Sequence, residues 1–399
     1  MSDTITAQAT VAEVIEQITA IAPLLRKNGA EGEELRRVPD ESIAALKAAG
    51  AFRLGTPQRY GGLEATAQEM LDVAAAAAYG DGGAGWVVTL GNVCGWLAGL
   101  MSRRLQDEIW GDDPDAFVTG VLAPTASAVR VDGGYRVTGK WFYNSGSYLA
   151  TWAGVGIPIP NEAGEIVNQG LAVIPRADYD IEETWFVAGM RSSASNCIVV
   201  NDVFVPDHRV MMVPPAIGGQ YDNEDLADEP THRTAFVPML ALVLIGAQLG
   251  LGRAAFDYVV EKAATKSIAY SFFATQADST AVQLELAKVA LLLDTAELHA
   301  RRAASDIDSA ALAGTYPTYL TRARVRADTA LVAESVTHAI DQLISVHGAG
   351  AFAESNPLQR IWRDSNTAAR HGVVNPLVSY EVYGKALVGN ENPVVSPLV

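Results

Sequence analysis

The stretch His347–Asn375 reads HGAGAFAESNPLQRIWRDSNTAARHGVVN, and it gathers more chemistry-capable side chains than any other part of the chain. Gly348 and Gly350 permit a tight turn after a long helical pattern, and Pro357 suits the first turn of a new helix. Beyond it Arg360, Asp364, Thr367 and His371 recur at helical spacing, which puts them on one face and aims an imidazole at whatever that face meets. The same residues suit a surface helix with internal ion pairs and a last-turn histidine favoured by the macrodipole. The segment alone leaves both readings open.

Outward from it, helical periodicity runs back through Thr318–Val346, Thr280–Ile307 and Val237–Ala264, so residues 234–399 are expected to form a four-helix bundle. Before that, 216–233 is expected to be a linker, since Gln220–Pro230 carries five acidic residues and few apolar ones. Residues 115–215 change pattern to short alternating runs: FVTGVL, AVRVDGGYRVTGKWFYN, TWAGVGIPI, GLAVIPR and NCIVVNDVFVP. These predict a small β domain, with Asp132, Gly133 and Gly134 turning a hairpin. Residues 1–114 again read as helices, at 10–50, Ala65–Tyr79 and Ala84–Leu100. The expected fold is mainly α with a central β domain, barrel or sandwich.

With 399 residues, 49% of them apolar, the chain can bury a large core. A net charge of −17 and a pI near 4.8 offer no basic stripe for nucleic acid. Two cysteines, Cys94 and Cys197, make neither a disulfide framework nor, without CxxC or a His/Cys cluster, a zinc site, so no metal is expected. No basic and apolar leader opens the sequence, and the most apolar run, Val237–Leu251, is interrupted by Gly and Gln; a soluble, cytoplasmic protein is expected. GYRVTGK at 134–140 imitates a phosphate loop, but Trp141 stands where Ser or Thr must hold magnesium. GAGAFA at 348–353 follows a helix where a dinucleotide fingerprint follows a strand. There is no GxSxG elbow and no HExxH.

Helices, a small β domain and a helical bundle, in that order, resemble the acyl-CoA dehydrogenase superfamily, as do the strings PQRYGGLEA (57–65), VRVDGGYRVTGKWFYNSGS (129–147), GMRSSASNCIVVNDVFVPDHRV (189–210), HGAGAF and QRIWRDSNTAARH. WFYNSGSYLATW and RIWRDSNTAARH resemble one branch more narrowly: the oxygenase components of two-component flavin-dependent monooxygenases, such as 4-hydroxyphenylacetate and related phenol hydroxylases. The acyl-CoA dehydrogenases need a carboxylate base shortly after a pair like Arg363–Asp364. Here NTAARHGVVN offers His371 and no acid until Glu381, with Glu261 the remaining candidate on another helix.

The resemblance implies reduced FAD or FMN supplied by a separate NAD(P)H-dependent flavin reductase, with dioxygen as co-substrate, a C4a-hydroperoxyflavin, and hydroxylation of an aromatic or heteroaromatic molecule, indole-like or polycyclic. Amine N-oxygenation, acyl-CoA dehydrogenase-like desaturation and a non-catalytic flavin-binding scaffold are the alternatives. By the same resemblance His371 and Ser145 are the expected catalytic residues. His371 also has an ordinary pKa close to working pH. Trp141, Phe142, Ser145, Gly146, Ser147, Arg191, Ser193 and Ser195 are expected to bind flavin. His347, Gly348 and Gly350 would meet a neighbouring subunit's flavin, which implies a homotetramer. Cys94, Trp96 and Asn375 are expected in the substrate pocket. Cys94 stands where the phenol hydroxylases commonly carry a histidine, in Val93-Cys94-Gly95-Trp96, and no basic neighbour in sequence would activate it as a nucleophile.

Overall fold

The computed structural model describes residues 9–161, 163–223, 229–391 and 394–399. Five helices come first: α1 (Val11–Leu35), α2 (Asp40–Ala48), α3 (Ala67–Gly80), α4 (Gly82–Gly99) and α5 (Arg103–Trp110). Thr10 and Thr66 open α1 and α3 with reciprocal capping boxes to Glu13 and Glu69, satisfying amide donors that a helix start leaves orphaned. Eight strands follow: β1 (Val118–Val121), β2 (Ala126–Val131), β3 (Gly134–Asn144), β4 (Trp152–Pro160), β5 (Ile166–Pro175), β6 (Asp180–Glu182), β7 (Asn196–Pro206) and β8 (Val210–Met212). They form two four-stranded sheets, ordered β1-β4-β5-β8 and β2-β3-β7-β6. The Asp132–Gly133 turn joins β2 to β3, with Gly133 at φ +72°.

The remaining helices are α6 (Val213–Ile217), α7 (Phe236–Val243), α8 (Gly246–Ala263), α9 (Thr280–Leu312), α10 (Tyr319–His347), α11 (Pro357–Ala368) and α12 (Pro376–Leu387). The single helix expected over 237–264 is broken at Leu244–Ile245, and the reason is close packing. A Cβ on Gly246 would stand 2.7 Å from that of Ala74, and one on Gly250 only 2.2 Å from the Ala75 carbonyl. Glycines here let α8 lie directly against α3, and the chain bends to reach that contact. Phe236–Ala263 is long and apolar enough to cross a membrane, but 78% of its most apolar window is buried inside the fold, as a core helix must be.

The first and last helical segments share one apolar core, in which Leu71, Trp96 and Phe236 sit beside Leu251, Val336 and Leu358. The sandwich keeps its own, built from Val137, Trp141, Val155, Ile174 and Ile198. Part of the expected linker, 224–228, lies outside the described residues. Its flanks pack against the helices: Asn223 donates to the Gly99 carbonyl at 2.6 Å, and His232 is fully buried.

Candidate functional site

Where the sandwich meets the helices lies a cavity of about 930 Å³. Residues from α4, the end of β3, the 185–195 segment, α7 and the turn before α12 wall it, with 395–398 along one side. No Asp or Glu among the described residues lines it; its ionisable groups are Arg326, Arg370, His371, Tyr143 and Cys94.

A bulge builds one wall. The β3–β7 register slips between Trp141 and Asn144, and Tyr143 takes φ +76°, a backbone region costly for a bulky residue. Before the slip, Trp141 points into the sandwich, where its Nε1 donates to the Gly156 carbonyl at 2.8 Å. Trp141 therefore does not reach the cavity, contrary to expectation, because strand alternation sends neighbouring side chains to opposite faces. Phe142 and Tyr143 line the cavity instead.

The next turn is laced to the 190–195 segment, where Met190 (φ +55°) and Ala194 (φ +47°) flank a short 3-10 turn. Gly146 N donates to the Ser193 carbonyl at 2.8 Å, and the Ser147 hydroxyl to the Ala194 carbonyl at 2.8 Å. Gly146 and Ser147 are thus consumed by the turn and hold its shape. That lacing brings Ser145 Oγ to 2.8 Å from Ser195 Oγ, which lies 2.7 Å from Ser193 Oγ. Trp86 Nε1 donates to Ser145 Oγ at 3.0 Å. An indole N–H can only donate, so Ser145 accepts from it and keeps its own proton for another partner. Ser145 and Ser195 line the cavity; Ser193 stands behind them. Arg191 also stays out of it, its Nε spent on the Val187 carbonyl at 2.9 Å.

His371 lines the same cavity as Ser145 and packs near Trp86, its ring centroid 6.0 Å from that of Trp86. It is not on α11, which ends at Ala368; His371 caps the short 3-10 turn Gly372–Val374. Its Nδ1 accepts from Val373 N at 3.3 Å, which puts the proton of the neutral ring on Nε2. Burial pushes its pKa down to about 4, so the residue is a neutral donor at pH 7, and the ordinary value expected for it is lost.

Two buried acids set where these walls stand. Asp81 caps α4 through Ala84 N at 3.0 Å, and Asp364 on α11 accepts from Met190 N at 2.6 Å. Burial and the nearby Asp81 charge push Asp364 up to about 7. A side chain on Gly82 would strike Asp364, which keeps that position glycine.

Cys94 lines the cavity, and burial pushes its thiol up to about 12. Trp96, two residues on, points the opposite way and is fully buried, donating to the Thr231 carbonyl at 2.9 Å. Asn375 is likewise outside, its Oδ1 capping α12 through Leu377 N at 3.0 Å. His347, Gly348 and Gly350 lie away from this cavity; Lys266 Nζ donates to the His347 carbonyl at 2.5 Å, and Gly348 has φ +82°. Glu261 borders a separate cleft with Asp81 and Arg360. Trp86, Tyr143, Trp185 and Arg326 were not singled out from sequence yet line the cavity.

The donor set fits a flavin. A space of this size with apolar and aromatic walls takes a flat heterocycle together with a second small molecule. Ser145 and Ser195 would meet its ring edge, Phe142 and Trp185 its face.

Comparison with known proteins also points to a flavin. The family model described as acyl-CoA dehydrogenase, C-terminal domain, matches residues 242–376. The flavin-dependent monooxygenase oxygenase subunit HsaA of Rhodococcus jostii is 31% identical, over 94% of this chain and 98% of the relative. The oxygenase component of a Rhizobium FADH(2)-dependent resorcinol hydroxylase is 30% identical, over 95% and 94%. Among solved structures, XiaF from Streptomyces in complex with FADH2 and glycerol superposes with a TM-score of 0.91 at 38% identity, covering 96% of both chains. The chain belongs to the flavin-dependent monooxygenases of acyl-CoA dehydrogenase fold, as an oxygenase component that uses reduced flavin and dioxygen.

Proposed function

We propose that this oxygenase hydroxylates an aromatic or heteroaromatic small molecule, indole-like or polycyclic, in the cytoplasm, and receives reduced FAD or FMN from a separate NAD(P)H-dependent flavin reductase. One observation carries the reading: the cavity is large, mostly apolar and, among the described residues, without a carboxylate, and it is lined by a neutral imidazole and a hydroxyl chain. Removing the α-proton of a thioester needs a base such a cavity lacks. Attack by an electron-rich ring on an electrophilic oxygen needs shelter from water and donors aimed at developing negative charge.

Reduced flavin supplies the electrons for dioxygen activation when bound. The protein's part is to hold protons still. Trp86 fixes one lone pair of Ser145, and if Ser193 donates to Ser195 and Ser195 to Ser145, the Ser145 proton is left pointing into the cavity. His371, on the same cavity's lining, offers Nε2–H, which would stabilise an oxyanion without releasing a proton at neutral pH. Cys94, protonated and polarisable, adds apolar wall in place of a substrate-orienting base, which suits heteroaromatic rings better than simple phenols. His347, Gly348 and Gly350 lie away from their own cavity, and a neighbouring subunit's flavin in a homotetramer is the reading that gives them one to meet.

The test is a panel of indoles, phenols and polycyclic aromatics incubated with the protein, flavin, a flavin reductase and NADH. A product heavier by one oxygen atom, formed only when reductase and dioxygen are both present, is expected. Reduction of the enzyme's flavin by an acyl-CoA, with no oxygenated product, would overturn the reading.

A further inference from the structure

Among the side chains lining the cavity, Arg326 is the one whose needs the fold leaves unmet. It lies on α10 and is only 3% exposed. Its Nη1 donates to the Ser396 hydroxyl at 2.8 Å and to the Leu398 carbonyl, but its Nε is buried without a partner. No carboxylate pairs with it among the described residues, although its chain carries a net charge of −17. Burial lowers its pKa, yet a guanidinium stays charged at pH 7.

Taking a cation out of water without an anion is costly, and tethering 395–398 gives no reason to accept that cost, since a neutral amide donates to a hydroxyl and a carbonyl equally well. Arg370, the other cation on the cavity wall, is exposed and hydrated, so it carries no such debt. The cavity that Arg326 lines is mostly apolar, with Leu240, Leu244, Val378 and Leu398 among its walls. A ligand entering this space meets apolar surface along its length and one desolvated positive charge.

We propose that Arg326 is an anchor for an acidic group on the substrate, so that the natural substrate is an aromatic acid, its carboxylate held at Arg326 while its ring lies toward Ser145 and His371. The proposal rests on the oxygenase reading for the ring end only. A charge-assisted contact of ordinary strength changes affinity roughly tenfold to a hundredfold. Arginine suits the task because its planar fork matches a carboxylate.

The test is calorimetric binding of indole-3-acetate, indole-3-propionate and indole-3-butyrate, each against its primary amide, to the full-length protein without NADH. At least one acid of the series is expected to bind ten or more times tighter than its amide. That ratio should collapse in Arg326→Gln and survive in Arg326→Lys and Arg370→Gln. Wild-type protein that binds acids and amides equally, or binds no acid of the series, overturns the anchor even if no Arg326 variant folds. So does a ratio that collapses in Arg370→Gln instead. Because no turnover is read, these failures are distinct from failure of the oxygenase assay, which scores product from the wild type.

Discussion

Replacing His371 with glutamine should make the protein less sensitive to mild acid, and the size of the effect follows from the burial of the ring. An imidazole in the unfolded chain titrates near 6.5, whereas burial holds His371 at about 4. The folded pKa is the lower one, so as pH falls the unfolded chain takes up its proton first. The stability contribution is therefore complete above 6.5 and drains away as pH drops toward 4. The gap sets a ceiling of roughly 3 kcal/mol, of which about 2 kcal/mol is already lost at pH 5. Denaturant unfolding at pH 7.5 and pH 5, at one protein concentration, measures it for wild type and His371→Gln. Other titrating groups are common to both proteins and cancel in the difference of differences. Because the ring is partly exposed to the cavity, wild type is expected to lose more than the variant between the two pH values by up to about 2 kcal/mol. A difference near zero, or one of opposite sign, would mean that the ring is hydrated and that the neutral donor role is wrong.

Three further outcomes are expected. Ser145→Ala should raise hydrogen peroxide released per NADH consumed by roughly tenfold, the worth of one buried hydrogen bond to a charged or developing partner, with Trp86→Phe moving the same ratio less; a peroxide electrode reads both, and unchanged coupling in both variants removes the proposed role. Asp364 titrates near 7 when folded, above its unfolded value of 3.8, so its contribution is lost as pH rises through 7; Asp364→Asn should be the more stable protein at pH 8 relative to pH 6, and a parallel pH profile for the two would contradict the buried pair. Gly85→Ala should destabilise by about 1–3 kcal/mol in thermal or denaturant unfolding, because its Cβ would sit 2.6 Å from the backbone nitrogen of Ala78, and a neutral result would mean that α3 and α4 are farther apart.

Much of this fold is legible locally, and the parts that are not share a cause. VRVDGGYRV announces β2, its turn and β3, because alternation and a two-residue turn are properties of neighbours in sequence. Ser145 is reachable for the same reason: NSGS is turn chemistry at the end of a strand. The slip between Trp141 and Asn144, across which both Phe142 and Tyr143 line the cavity, is set by β7 across the sheet, so it leaves no mark on β3 itself. Trp86 is hidden differently: α4 is apolar on all sides, so no face of it stands out as the one that meets the cavity. Arg326 is one of three arginines in the run Arg322, Arg324, Arg326, and only the packing of 395–398 and α12 turns it inward. His371 was found through its neighbours in sequence, but its low pKa belongs to the walls around it.

The distribution of charge ties the site to its chemistry. Forty-six acids and 29 basic residues leave the chain strongly negative, yet the cavity wall holds two arginines, a neutral histidine and no acid among the described residues. An acid placed there would either ionise and repel the electron-rich groups that must enter, or stay protonated and supply a proton to an oxidant whose value depends on not receiving one early. The acids near the site, Asp81 and Asp364, are instead kept behind its wall, where they cap α4 and fix Met190 through backbone amides. Separating the carboxylates that build the frame from the neutral donors on the cavity wall keeps acid out of the space where oxygen transfer is proposed, while the same acids still fix the backbone that shapes it.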